Sequence, residues 1–174
     1  MNNRTSSLES SHFPVMLNEV IKISSPSKGG TYIDCTFGGG GYSRSLLKFP
    51  NTIIKGLDRD KTVQKIGKEL EKKFPQRFKF YQIIFSQLDT ISKDDIDVII
   101  FDLGLSSIQL NDPARGFSFK SKKNLDMSMG LNQISVQDVI NNLSELDLKL
   151  IIKILGEEKE ATRIAKNIVK FRNE

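Results

Sequence analysis

Short apolar runs alternate with helical repeats along the front part of the chain. PVMLNEVIKI, from Pro14 to Ile23, spaces its apolar residues as a helix does, with proline at its start. SSPSKGG, from Ser24 to Gly30, breaks the pattern as a loop. TYIDCTF (Thr31–Phe37) then reads as a buried strand, and SRSLLKF (Ser43–Phe49) as a helix ended by Pro50. TIIKGLD (Thr52–Asp58) predicts a second strand, and Asp60 to Phe74 an amphipathic helix rich in Lys and Glu, stopped by Pro75. FKFYQIIF (Phe78–Phe85) and DVIIFDLG (Asp97–Gly104) predict a third and a fourth strand. The VIIF run suits a strand buried on both faces.

Alternation of strand and helix predicts an α/β fold, a parallel sheet joined by crossover helices. After Gly104 the pattern changes. LSSIQLNDPARGFSFKSKKNLDMSMG is long, rich in turn formers and predicted to be irregular. Helices resume behind it. Ser135 with Asp138 and Ser144 with Asp147 have capping-box spacing, and Gly156 is a candidate stop. A last helix from about Glu157 to Phe171 places Ala161, Ile164, Ile168 and Phe171 on one face.

Composition narrows the classes. A single Cys35 and a single His12 exclude an internal disulfide and a Cys/His zinc site, and with them a zinc-dependent base deaminase. The polar N-terminus lacks a signal-peptide core, and no stretch approaches the ~20 apolar residues of a membrane helix. A soluble, cytoplasmic protein is expected. The net charge of +5 permits a nucleic-acid partner without requiring one.

The chemistry centres on TYIDCTFGGGGYSRSLL, Thr31 to Leu47. A P-loop needs Gly-Lys-Ser/Thr after its glycines, and here Gly41 is followed by Tyr42 and Ser43. A dinucleotide fingerprint is met at Gly38 and Gly40 but has Ser43 at its third position. S-adenosylmethionine fits better. Asp34, just before the glycines, would repel a pyrophosphate but receive the ammonium of a methionine tail. Asp58, about twenty residues beyond Gly38, can accept ribose hydroxyls. A glycine turn that only lets the helix pack closely is the structural alternative.

HFPVM (His12–Met16), YIDCTFGGGGYS, GLDRD, IIFDLGLSS, QLNDPARGFSF and LDMSM occur in the order seen in bacterial 16S rRNA (cytosine-N4)-methyltransferases, and from about His12 onward the chain resembles that family. The resemblance implies a Rossmann-like class I methyltransferase sheet with an inserted helical region after strand 4. It implies S-adenosylmethionine as cofactor, and methylation of the exocyclic amine of a cytidine in the small ribosomal subunit. Carried over by residue, the cofactor contacts would be Gly40, Gly41, Tyr42, Asp58, Phe85, Asp102 and Gln109. Phe85 at the end of the third strand would cover adenine. Asp102 at the end of the fourth would bind the cofactor, act on the amine, or both. Three positions depart from the family: Tyr42 replaces a usual histidine, Ile108 a proline, and Ser128 an arginine.

The expected organisation is a flexible 1–11, an adenosylmethionine-binding half over 12–110, and an inserted loop and helical substrate-recognition region over 111–174. Arg115 is read either as an RNA-phosphate contact or as a turn-stabilising residue. Phe117 and Phe119 are read as core, with lining of the base pocket as the alternative, Met127 and Met129 as packing, and His12 as near the site or as edge packing. KSKK (Lys120–Lys123) and KNIVKFR (Lys166–Arg172) are solvated faces that can touch RNA. A nicotinamide oxidoreductase and a binding remnant without turnover remain the alternatives. The resemblance further implies the front part of a longer enzyme. A strand order 3-2-1-4 would then leave VIIFDLG at an open edge, apolar surface exposed on that strand and on the terminal helices, and turnover weak.

Overall fold

The computed structural model describes residues 14–91, 95–121, 125–131 and 134–172. The expected flexible N-terminus, His12, Lys122 and Lys123 lie outside the described residues. The chain divides into two compact units, Met1–Ile108 with Met129–Leu131, and Gln109–Ser128 with Asn132–Glu174.

The first unit is built on α1 (Leu17–Ser24), β1 (Gly30–Asp34), α2 (Gly41–Leu46), β2 (Thr52–Leu57), α3 (Gln64–Lys73), β3 (Phe78–Tyr81) and β4 (Val98–Ile100). The strands are all parallel in the order β3-β2-β1-β4, as expected, so β4 is an edge. The fold is α/β and Rossmann-like. Register puts Tyr32, Ile54 and Phe78 in one row and Asp34, Gly56 and Phe80 in another. These rows face the helices: Tyr32, Ile54, Phe78, Phe80 and Ile100 pack with Tyr42, Leu46, Leu70 and, more loosely, Val20 and Ile21. The opposite face is covered more thinly. Ile33, Cys35 and Leu57 lie under Ile83, Leu88, Ile91 and Ile96, which lie within and on either side of a 3-10 segment, Phe85–Thr90.

That thin cover corrects the reading of VIIF. Val98 and Ile100 pack on the helix side, but Ile99 and Phe101 point the other way and stay exposed. The strand is buried on one face only. Two strands are also shorter than their apolar runs. β3 ends at Tyr81, so Phe85 opens the 3-10 segment and does not end the strand. β4 ends at Ile100, two residues before Asp102. Apolar pattern alone does not separate strand from the apolar loop that caps it.

The second unit includes α5 (Val136–Asn142), α6 (Glu145–Ile154) and α7 (Ala161–Arg172). Ser135 and Asp138 form the reciprocal capping box expected of them. Ser144 caps α6 by accepting the Asp147 N–H at 3.1 Å. Gly156 does not take the left-handed stop; Glu157 does, with φ 51°. Gly156 is needed for closeness, since a Cβ there would lie 2.7 Å from the Ile152 carbonyl oxygen. On α7, Ala161 and Ala165 are buried, whereas Phe171 is exposed. Arg172 reaches back instead and donates to the carbonyls of Ile140 and Leu143 at 2.8 and 2.7 Å, satisfying the end of α5.

The stretch expected to be irregular contains a short helix, α4 (Ser107–Asn111), where the boundary between the units falls, and a 3-10 turn, Pro113–Arg115. Arg115 is buried, donates to the Ser128 carbonyl and lies 5.4 Å from the Phe117 ring centre. It ties the Pro113–Arg115 turn to the segment at Ser128. Phe119 is fully exposed, which corrects its reading as core.

Candidate functional site

The carboxyl ends of β1, β2 and β4 meet at the glycine turn. In open parallel sheets this crest is where ligands sit. The ladder continues past the strand ends through single bonds: Cys35 N–H to the Ile100 carbonyl and Phe37 N–H to the Leu57 carbonyl, both at 2.9 Å. The chain then reverses through Gly38 (φ 50°) and Gly40 (φ 76°), left-handed conformations that side chains resist. A Cβ on Gly40 would also press on the Phe37 ring at 2.8 Å. Gly41 and Tyr42 then open α2.

Two acids hold this turn, and they do different jobs. Asp58, just beyond β2, accepts the Gly38 N–H at 2.7 Å on one oxygen and the Asp60 N–H at 2.8 Å on the other. Partial burial raises its pKa, against the lowering pull of those backbone donors. The Arg59 backbone is a third hydrogen-bond partner, and the remaining acceptor capacity of the carboxylate can serve a ligand hydroxyl. Asp34 is entirely buried and accepts the Ser43 hydroxyl at 2.7 Å, with the Thr36 N–H at 3.4 Å. Burial pushes its carboxyl up to about 6, with Ser43 and Thr36 pulling the other way. The expectation that Asp34 receives an ammonium tail is therefore corrected. It lies beneath the loop, and its charge is spent on the loop's own hydroxyl.

Asp102 is exposed beyond β4, and its N–H donates to Thr36 Oγ1 at 2.9 Å. Tyr42 is buried beside it. Desolvation raises the phenol's pKa first, and the Asp102 carboxylate raises it further as a charge and as the hydroxyl's hydrogen-bond partner; the Met16 backbone N–H pulls the other way. Phe85 is exposed and meets Phe101 edge to face, ring centres 5.5 Å apart. Gly40, Gly41, Tyr42, Asp58, Phe85 and Asp102 thus all belong to the first unit, at the glycine turn, the start of α2 and the segments that follow β2, β3 and β4. Gln109 is buried in α4 and belongs to the second.

A family model described as the MraW methylase family matches residues 9–174. The chain belongs to the MraW methylase family. It is 44% identical over 161 residues to the ribosomal RNA small subunit methyltransferase H of Bartonella bacilliformis, covering 92% of this chain and 48% of that protein. The protein of the same name from Rickettsia massiliae is 40% identical over 163 residues, covering 93% of this chain and 53% of its own. The one from Zymomonas mobilis is 39% identical over 165 residues, at 92% and 50%. The chain spans about half the length of the curated relatives it matches.

At this crest, sequence reading missed the supports. Thr36 fixes the Asp102 backbone, Ser43 occupies Asp34, and Phe101 backs Phe85. Ser43 had a signal, because it stands where a dinucleotide fingerprint has its third glycine. Another support comes from far along the chain. Gly130 (φ 80°) runs so close to the loop after β2 that a Cβ would lie 2.8 Å from the Arg59 carbonyl oxygen and the Lys61 nitrogen. An open apolar cleft of about 490 Å³ in the second unit, lined by Ile140, Ile164, Ile168 and Phe171, gathers none of these groups. Among the described residues, no helix is long and apolar enough to cross a membrane.

Proposed function

We propose that this chain carries the S-adenosylmethionine site, with the adjoining amine-facing acid, of an enzyme that methylates N4 of a cytidine in 16S rRNA. The observation that carries the reading is the Asp58 carboxylate bound to the Gly38 N–H. It sets a ribose-type acceptor directly against a glycine turn. The crest suits a cationic adenosine derivative better than a pyrophosphate, since Asp58 and Asp102 both bring negative charge to it and the turn lacks a P-loop lysine. Membership of a methylase family and relatives named as small-subunit rRNA methyltransferases support the same substrate class.

S-adenosylmethionine, when bound, supplies a methyl group on a sulfonium. Asp58 would accept the ribose hydroxyls, the backbone of Gly40, Gly41 and Tyr42 would border the methionine part, and the Phe85 ring would cover adenine. A cytosine amine is a poor nucleophile, because its lone pair is delocalised into the ring. Holding the nitrogen in line supplies much of the rate. An Asp102 carboxylate oxygen can accept the proton that N4 sheds as its bond to carbon forms.

The test is transfer of labelled methyl from S-adenosylmethionine to small ribosomal subunits lacking the modification, followed by nucleoside analysis. Label in N4-methylcytidine is expected, reduced at least tenfold by Asp102→Asn. Label in another nucleoside, or undiminished transfer by Asp102→Asn, would contradict the assignment.

A further inference from the structure

We infer that Thr36 is a positioning residue for methyl transfer: its hydroxyl, accepting the Asp102 N–H at 2.9 Å, holds Asp102 at the crest. The inference rests on the proposed transfer to a cytosine amine and gives the Thr36 side chain a task in it.

Parallel register pairs Asp34 with Ile100, and the ladder continues with the Cys35 N–H on the Ile100 carbonyl at 2.9 Å. The next bond of a regular parallel ladder would run from the Asp102 N–H to the Cys35 carbonyl. It runs to the Thr36 side chain instead. A hydroxyl oxygen thus stands in for a main-chain carbonyl, and β4 leaves the sheet with its next N–H still satisfied. The anchor sits on fixed backbone. Cys35 and Phe37, on either side of Thr36, are 3% and 2% exposed, and their N–H groups bond to β4 and β2 respectively. The Thr36 N–H faces the buried Asp34 carboxylate at 3.4 Å. A β-branched side chain on such a backbone has little freedom at χ1. The segment it holds lacks that packing. Phe101 to Leu105 are all exposed, and a Cβ on Gly104 would meet nothing within 4 Å. Without the anchor, Asp102 would ride on open chain beyond an edge strand. A carboxylate displaced by about 1 Å is a poor acceptor for a proton on a fixed nitrogen.

Thr36→Val keeps the shape and removes the acceptor, whereas Thr36→Ser keeps the acceptor. Both are made in this chain, alone and with Asp102→Asn. They are compared by melting temperature, by calorimetric titration with S-adenosylmethionine, and by the rate of methyl transfer to small ribosomal subunits lacking the modification. Thr36→Val is expected to slow transfer about fivefold to tenfold, the scale of one hydrogen bond, with the affinity for S-adenosylmethionine within about twofold of wild type. The melting temperature should hold, because the freed Asp102 N–H lies at an exposed site and can bond water. Thr36→Ser should recover most of the rate. In the Asp102→Asn background Thr36→Val should cost less than about twofold, since residues that act through one another are not additive. An equal loss in both backgrounds, or a Thr36→Ser as slow as Thr36→Val, would overturn the inference. Hydrogen exchange of the Asp102 amide, followed by NMR, reads the anchor without the reaction. It should be faster in Thr36→Val than in the wild type or Thr36→Ser, and unchanged exchange would also overturn the inference. A wild-type chain that binds no S-adenosylmethionine would instead overturn the proposed function, and the amide exchange would still decide whether Thr36 anchors Asp102.

Discussion

At the scale of single residues, the carboxylates at the ends of β1 and β2, Asp34 and Asp58, have separate environments and separate consequences. Asp34 is buried, and its carboxyl is pushed up to about 6 from an ordinary 3.8, so the folded protein holds its proton more tightly than the unfolded chain. Its contribution to stability is present in full below pH 3.8 and is lost as pH rises through about 6. Asp34→Asn keeps an oxygen for Ser43 and never charges. In urea melts from pH 4 to pH 8, it should therefore gain on the wild type by about 2–3 kcal/mol. A gap that stays constant with pH would contradict this. Asp58 behaves differently, because its oxygens face backbone donors at the open crest. Asp58→Asn should weaken S-adenosylmethionine binding by roughly tenfold or more, at the scale of charged hydrogen bonds. Unchanged calorimetric affinity would remove Asp58 from the site. The acids themselves were legible in the sequence, from their places after apolar runs. Which of them is buried was not. That depends on Ser43 and Thr36 folding back over Asp34, an arrangement that spacing does not encode.

At the scale of elements, the glycine turn joins β1 to α2 and fixes where the ligand can approach. Gly40 combines φ 76° with a Cβ position that would strike the Phe37 ring at 2.8 Å. Gly40→Ala should destabilise the chain by about 1–3 kcal/mol in chemical denaturation. A loss below about 0.5 kcal/mol would show that the turn relaxes. Element type was readable where periodicity was strong: the alternation that gives a parallel sheet, α3 and the Ser135 cap follow from the sequence pattern, and the order β3-β2-β1-β4 was expected with the family resemblance. Element ends were not. QIIF after Tyr81 and FDLG after Ile100 are as apolar as strand, yet there the chain leaves the ladder, in the one case to form the 3-10 cover of Cys35 and in the other to present Asp102. α4 was hidden because SSIQLN is too short for a helical repeat to register.

At the scale of the whole molecule, the first unit has one well-covered face and one thinly covered face. Ile99, Phe101, Leu103 and Leu105 are all exposed along β4 and the chain leaving it. In the second unit, Leu146, Ile154, Leu155 and Phe171 are exposed as well. Apolar exposure on this scale binds hydrophobic dyes. The native chain should enhance anilinonaphthalene sulfonate fluorescence before any unfolding transition. Leu103→Ser, at a site 70% exposed, should lower that signal without lowering the melting temperature. An unresponsive dye would mean that this surface is covered in solution.

The account stands on the ligand held by the glycine turn and Asp58, and a paired calorimetric titration of the wild-type chain with S-adenosylmethionine and with NADH tests it most directly. The expected result is saturable, one-site binding of S-adenosylmethionine that Asp58→Asn weakens, with no heat from NADH. Binding of NADH with none of S-adenosylmethionine would contradict it.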